Sequence, residues 1–167
     1  GCGGAVTFKY FQENNCEITG CENQFMHLTK NVCSHFHIDA ALLNDIFEAE
    51  GPYDKIFALD VLEHVKELDK YTDKLTALLK NNGKLVVSGP TKNILYKAGR
   101  MLANFSGHYH VRNIYQIEDA LNSMQLRCLK VRTLFPVLPF FRVSLWEKKR
   151  LIKREKAKIC KHVKQRW

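Results

Sequence analysis

Apolar positions along this chain change period repeatedly, and each change marks an element. After a glycine-rich opening, Ala5–Asn14 sets Val6, Phe8, Tyr10 and Phe11 among polar residues and is predicted as a helix. Glu17–Cys21 reads as a short strand and Asn23–Asn31 as a short helix. Ala40–Leu43 predicts another strand, stopped by Asn44-Asp45. In Tyr53–Leu59 the continuous run Ile56-Phe57-Ala58-Leu59 predicts a parallel strand buried on both faces. Lys66–Leu79 is the clearest helix, with Leu68, Tyr71, Leu75, Leu78 and Leu79 at spacings of three and four. Asn81-Asn82-Gly83 supplies a stop and a turn, and Leu85–Ser88 the next strand. Ile94–Asn104 and Tyr115–Met124 are predicted helices. Leu126–Leu134 alternates as a strand does, and Arg142–Glu147 follows as another after a proline-containing connection.

Alternation of strands with helices predicts an α/β fold with a mainly parallel sheet and helices on both faces. The last two strands have no helix between them, which predicts an antiparallel edge hairpin. A glycine turn that opens a helix is expected to follow a strand. The chain opens at its glycines, so the first strand is expected to be missing. One domain over 1–147 and a basic, helical tail over 148–167 are the expected organisation.

The 167 residues are enough for one sizeable core. No stretch reaches the roughly 20 apolar residues of a membrane helix; Leu134–Trp146 is broken by Pro136, Pro139 and Arg142. The six cysteines form no Cys-x-x-Cys pair and read as reduced thiols of a cytoplasmic protein. His35 and His37 flank Phe36, and His108 and His110 flank Tyr109, but no metal is expected. Of the net charge of +9, Glu147–Trp167 carries +8, with ten Lys/Arg against two Glu. The body is nearly neutral, so any attraction to an acidic partner belongs to the tail.

Candidate chemistry lies at the ends of the predicted strands. Gly1-Cys2-Gly3-Gly4-Ala5 opens onto a helix, where glycines permit close backbone approach and the helix start offers unpaired N–H groups. Glu22 follows a strand, where a carboxylate can accept both hydroxyls of a ribose. Asp45, beside Ile46 and Phe47, closes the next strand and suits an adenine. Each is also a plausible surface or capping residue; their order and spacing support one another.

Tyr53-Asp54-Lys55-Ile56-Phe57-Ala58-Leu59-Asp60-Val61-Leu62-Glu63-His64-Val65 resembles the fourth-strand motif of class I S-adenosylmethionine-dependent methyltransferases. It is most similar to their small-molecule branch with a Leu-Glu-His-Val ending. Leu78–Ser88 resembles the family's next helix end, turn and fifth strand. The resemblance runs from Gly1 to about Lys148 and implies a Rossmann-like fold with S-adenosyl-L-methionine as cofactor. It implies that Gly1, Cys2, Gly3 and Ala5 line the methionine part, and that Glu22, with Asn23 beside it, holds the ribose. It further implies that Asp45 and Ile46 contact adenine, while Asp60 and Val61 pass near the sulfonium and amino-acid end. The family's third loop glycine is Ala5 here.

Methyl transfer asks mainly for positioning and exclusion of water. A hydroxyl acceptor adds the need for a base, and His is the commonest. His64, after the fourth strand, and His108 and His110, in Ser106-Gly107-His108-Tyr109-His110, are the candidates. His64 can instead serve the helix start, and the second segment can be a solvated loop. The expected function is methyl transfer to a small-molecule or lipid-linked acceptor, most often at oxygen. An RNA methyltransferase and a non-catalytic binding module remain the alternatives. Asp60-Val61-Leu62-Glu63 does not match the Asp/Asn-Pro-Pro-aromatic motif of exocyclic base methylation, and no Pro-Cys occurs. The tail, with Leu151, Ile152, Ile159 and Val163 among its cations, suits an anionic membrane surface, nucleic acid or solvent.

Overall fold

The computed structural model describes residues 1–91, 112–134 and 140–149. The expected helix Ile94–Asn104, both His108 and His110, and the tail from residue 150 lie outside the described residues.

The described elements are α1 (Phe8–Glu13), β1 (Thr19–Cys21), α2 (Met26–His35), β2 (Ala41–Leu43), a 3-10 turn (Ile46–Glu48), β3 (Tyr53–Leu59), α3 (Leu68–Leu78), β4 (Leu79–Pro90), α4 (Ile114–Asn122), β5 (Leu126–Leu134) and β6 (Phe141–Lys148). β3 and β5 have the expected bounds. α1 begins three residues late because Ala5 takes a φ of 52°, outside the helical region. α2 begins later than expected because Gln24 and Phe25 first donate their amides to the Glu22 carboxylate, and it runs on to His35.

The α/β character is as expected; the mainly parallel sheet is not. β1 and β2 form a parallel pair, while β3-β4-β6-β5 form a second, mixed sheet. In it β3 and β4 are parallel, and β6 runs antiparallel to both of its neighbours. A strand that follows its neighbour without a crossover must return antiparallel. β5 and β6 form the expected antiparallel hairpin at one edge of this sheet, with β5 outermost and β6 paired to β4.

β4 also starts earlier than expected. Its stop-and-turn residues survive as an irregularity: opposite Tyr53–Lys55 the β4 register moves from Leu79 to Lys84. Asn82 has a φ of 62°. A Cβ on Gly83 would stand 2.8 Å from the Lys80 carbonyl oxygen, so glycine is required there.

One face of the larger sheet supplies Ala58, Leu85, Val87 and Trp146 to the main core, where they meet Leu68 and Leu75 of α3 and Ile114, Ile117 and Leu121 of α4. Asn113 starts α4 with a capping box, its side chain accepting from Gln116 N–H while the Gln116 side chain accepts from Asn113 N–H. A second core joins Ala5, Phe8, Ile18, Cys33 and Ile38 around β1, α1 and α2. The ring of Phe11 on α1 lies 4.9 Å from that of Phe57 on β3, on the sheet face opposite Ala58. Burial of β3 on both faces is therefore corrected: Phe57 is 43% and Leu59 38% exposed. Among the described residues no helix is long and apolar enough to cross a membrane.

Candidate functional site

Because β1, β2 and β3 each pair in parallel with a neighbour, their carboxyl ends carry the polar residues of the expected site. Glu22 directly follows β1, Asp45 lies two residues beyond β2, and Asp60 directly follows β3. The Glu22 amide donates to the Leu43 carbonyl at 3.0 Å, which ties the ends of β1 and β2. The Cys2 amide donates to the Cys21 carbonyl at 3.0 Å and lays the glycine loop on the end of β1. A Cβ added to Gly1 would stand 3.4 Å from Val61 Cγ2 and 3.5 Å from Glu22 Oε2. The loop, the end of β1 and the end of β3 thus meet at Gly1.

Glu22 is the centre of the arrangement. It is 6% exposed. Its Oε2 accepts from Gly3 N–H at 2.7 Å, and its Oε1 from Gln24 and Phe25 N–H at 3.0 and 3.1 Å. Burial pushes its pKa up, but hydrogen bonds from Gly3 and Phe25, the positive charge of the Gly1 amino group and a hydrogen bond from Gln24 together hold the group below its ordinary value. The carboxylate is therefore ionised at neutral pH and acceptor-only, as hydroxyl recognition requires.

The loop turns on two left-handed residues, Gly3 with φ 49° and Ala5 with φ 52°. Glycine adopts this without strain; Ala5, 2% exposed, does so at a cost of about 1 kcal/mol. Ala5 N–H donates to Cys2 C=O at 2.9 Å and Phe8 N–H to Ala5 C=O at 3.0 Å, which leads the loop into α1. Gly20 of β1 permits this packing: a Cβ there would stand 2.5 Å from Phe8 Cζ and 3.1 Å from Cys2 Sγ. Burial raises the pKa of both Cys2 and Cys21, so neither is a ready nucleophile.

At the end of β2, Asp45 Oδ1 accepts from Phe47 N–H at 3.1 Å and caps the 3-10 turn. Ile46 is half-buried against the main core. Phe47 is 37% exposed, with its ring 5.1 Å from that of Tyr71 and the Lys70 ammonium 4.9 Å from it. At the end of β3, Asp60 has a φ of 52°, its amide donates to Ser88 C=O at 3.3 Å, and its Oδ1 accepts from the Ser88 hydroxyl at 2.7 Å. Val61 C=O accepts from His64 N–H at 3.0 Å in the turn that follows. The exposed His64 ring sits with Nε2 3.8 Å from the buried Glu63 carboxylate.

The structure brings together Gly1, Cys2, Gly3, Glu22 and Val61; Asp45 lies beyond β2, the strand paired with β1, and Asp60 precedes Val61 at the end of β3 in the second sheet. Asn23 is exposed beside Glu22. Sequence reading missed Ser88, which anchors Asp60, and Thr29, whose hydroxyl donates to Gly3 C=O from α2. Nothing in local periodicity distinguishes either from an ordinary strand or helix residue.

A family profile described as "Methyltransferase domain" matches residues 1–131. No curated protein matches the chain. Among solved structures, the chain is similar to magnesium protoporphyrin IX methyltransferase from Synechocystis PCC 6803 with bound SAH. That match has a TM-score of 0.70 at 15% identity and covers 89% of this chain and 72% of the other. N-methyltransferase NodS from Bradyrhizobium japonicum WM9 in complex with S-adenosyl-L-homocysteine matches with a TM-score of 0.65 at 14% identity, covering 88% and 74%. The [4+2]-cyclase SpnF matches with a TM-score of 0.70 at 13% identity, covering 89% and 72%. At these identities the likeness establishes the fold.

Proposed function

Since the chain belongs to the methyltransferase domain family, we propose that it is a class I domain that transfers a methyl group from S-adenosylmethionine to a hydroxyl of a small-molecule acceptor. The cofactor is held along the rim formed by β1, β2 and β3. What carries the reading is the meeting of Gly1, Glu22 and Val61, with Asp45 following β2 and Asp60 following β3. Ligands of open α/β sheets bind outside the carboxyl ends of the strands. The donor set suits a nucleoside: an ionised, acceptor-only carboxylate for ribose hydroxyls, and a second carboxylate beside an aromatic surface for an adenine.

In this assignment Glu22, with Asn23 beside it, holds the ribose. Asp45 and Ile46 hold the adenine, with the ring of Phe47 next to them. Gly1, Cys2, Gly3 and Ala5 take the methionine part, and Asp60 and Val61 border the reacting end. When bound, S-adenosylmethionine supplies an electrophilic sulfonium methyl. The protein's remaining work is to orient the acceptor in line, exclude water and remove the acceptor proton. His64 is the assigned base: it follows Asp60 and Val61 in one tight turn, and its ring is exposed. His108 and His110 are further acceptor-side candidates. Small-molecule acceptors are favoured by the neighbours whose names state methyl transfer, and by the mismatch to base-methylating motifs. The same fold in a [4+2]-cyclase keeps a non-methylating reading in view. Contact of the tail with an anionic membrane surface belongs to the same proposal.

Calorimetric titration with S-adenosylmethionine and S-adenosylhomocysteine tests the site. Micromolar binding that is lost in Glu22→Ala and weakened in Asp45→Ala supports it; unchanged binding in both variants contradicts it. Radiolabelled methyl transfer to hydroxylated acceptors, abolished in His64→Ala, supports the reaction. Cofactor binding without turnover across hydroxylated lipids, quinones and RNA favours the non-catalytic reading.

A further inference from the structure

We propose that Thr29, on α2 and far from the loop in sequence, is a positioning residue for cofactor binding: its hydroxyl holds the Gly3 carbonyl and so fixes the left-handed turn of the glycine loop. Thr29 can play this part only if that loop takes the cofactor as proposed above.

A residue in the left-handed region reorients the peptide units on both sides of it. Both units of Gly3 must then be held if the loop is to present one surface to a ligand. The amide side is held by Glu22, which accepts Gly3 N–H at 2.7 Å. The carbonyl side is held by the Thr29 hydroxyl. Glu22 and Thr29 come from different elements, one at the end of β1 and one inside α2, and they grip Gly3 from its two ends.

The choice of partner made by Thr29 is informative. A threonine within a helix ordinarily satisfies its hydroxyl on the carbonyl four residues back. That acceptor, Phe25 C=O, is present at 3.3 Å. The contact to Gly3 C=O is the shorter of the two. Thr29 is 0% exposed, so its hydroxyl has no competing water. A valine would fill the same space and leave Gly3 C=O without this donor.

The test compares Thr29→Val, Thr29→Cys and Thr29→Ser with the wild type. Two quantities are read: the dissociation constant for S-adenosylhomocysteine by calorimetry, and the melting temperature without ligand. Loss of one buried hydrogen bond in the loop is expected to weaken binding about tenfold in Thr29→Val. Thr29→Ser, which restores the hydroxyl, is expected within about threefold of wild type. Thr29→Cys, with a weak donor, falls between and serves if the valine variant does not fold. Equal affinity in wild type, Thr29→Cys and any folded Thr29→Val overturns the proposal, whatever the melting temperatures. So does an equal loss in Thr29→Ser. A wild-type protein that fails to bind S-adenosylhomocysteine overturns the cofactor reading itself, and the role of Thr29 with it.

Discussion

Ser88 donates its hydroxyl to Asp60 Oδ1 at 2.7 Å and joins the carboxyl ends of β3 and β4, at the point where Asp60 takes a φ of 52°. Asp60 is exposed, yet its carboxylate is fixed by this bond and its backbone by a second one to Ser88 C=O. Ser88→Ala is expected to weaken S-adenosylhomocysteine binding several-fold, about 1 kcal/mol. Calorimetry checks this, and an unchanged dissociation constant removes Asp60 from the site.

Gly20→Ala is expected to destabilise the fold by about 1–3 kcal/mol, because the new methyl would meet Phe8 Cζ at 2.5 Å and Cys2 Sγ at 3.1 Å. Phe8 is 5% exposed and cannot swing away cheaply. Urea midpoints of Gly20→Ala and of Gly20→Ala/Phe8→Leu check the mechanism. Partial recovery in the double variant identifies the overlap with Phe8, and no recovery points elsewhere.

In the main core, the Trp146 indole N–H donates to Ser144 Oγ at 2.8 Å, and the two residues are 1% and 0% exposed. Ser144→Ala leaves that donor buried, and a loss of about 1–3 kcal/mol is expected. Ser144→Thr keeps the acceptor and separates this effect from simple truncation in a thermal melt.

Glu22 couples the site to pH. Its pKa is lowered on folding, so the stability it contributes is present above its unfolded pKa and lost as pH falls through the folded one. The wild type is therefore expected to lose stability on acidification below about pH 4.5 more steeply than Glu22→Gln, which has no proton to take up. Urea midpoints at pH 7 and pH 3.5 give the two slopes. A parallel decline in both proteins contradicts the assignment.

Much of the fold was legible because its signals are local. The unbroken run in Tyr53–Leu59 and the alternation in Leu126–Leu134 matched their strands to the residue. What failed depends on partners distant in sequence. That the larger sheet is mixed, with β6 paired to β4, is decided by pairing, which no window of sequence reports. Exposure of Phe57 and Leu59 follows from what covers the second face of β3, not from β3 itself. α2 begins late because the amides of Gln24 and Phe25 are spent on Glu22. For the site, Glu22 and Asp45 were readable as acidic residues at strand ends. Ser88 and Thr29 were not, since a hydroxyl within regular structure shows its partner only in three dimensions.

The central claim is that the rim of β1, β2 and β3 grips a sulfonium nucleoside with Glu22 on its ribose. A crystal structure of the protein with S-adenosylhomocysteine tests this most directly. The predicted result places both ribose hydroxyls within hydrogen-bonding reach of the Glu22 carboxylate and the adenine beside Asp45. A nucleoside bound elsewhere, with Glu22 still closed on its three backbone amides and no ligand contact, would contradict it.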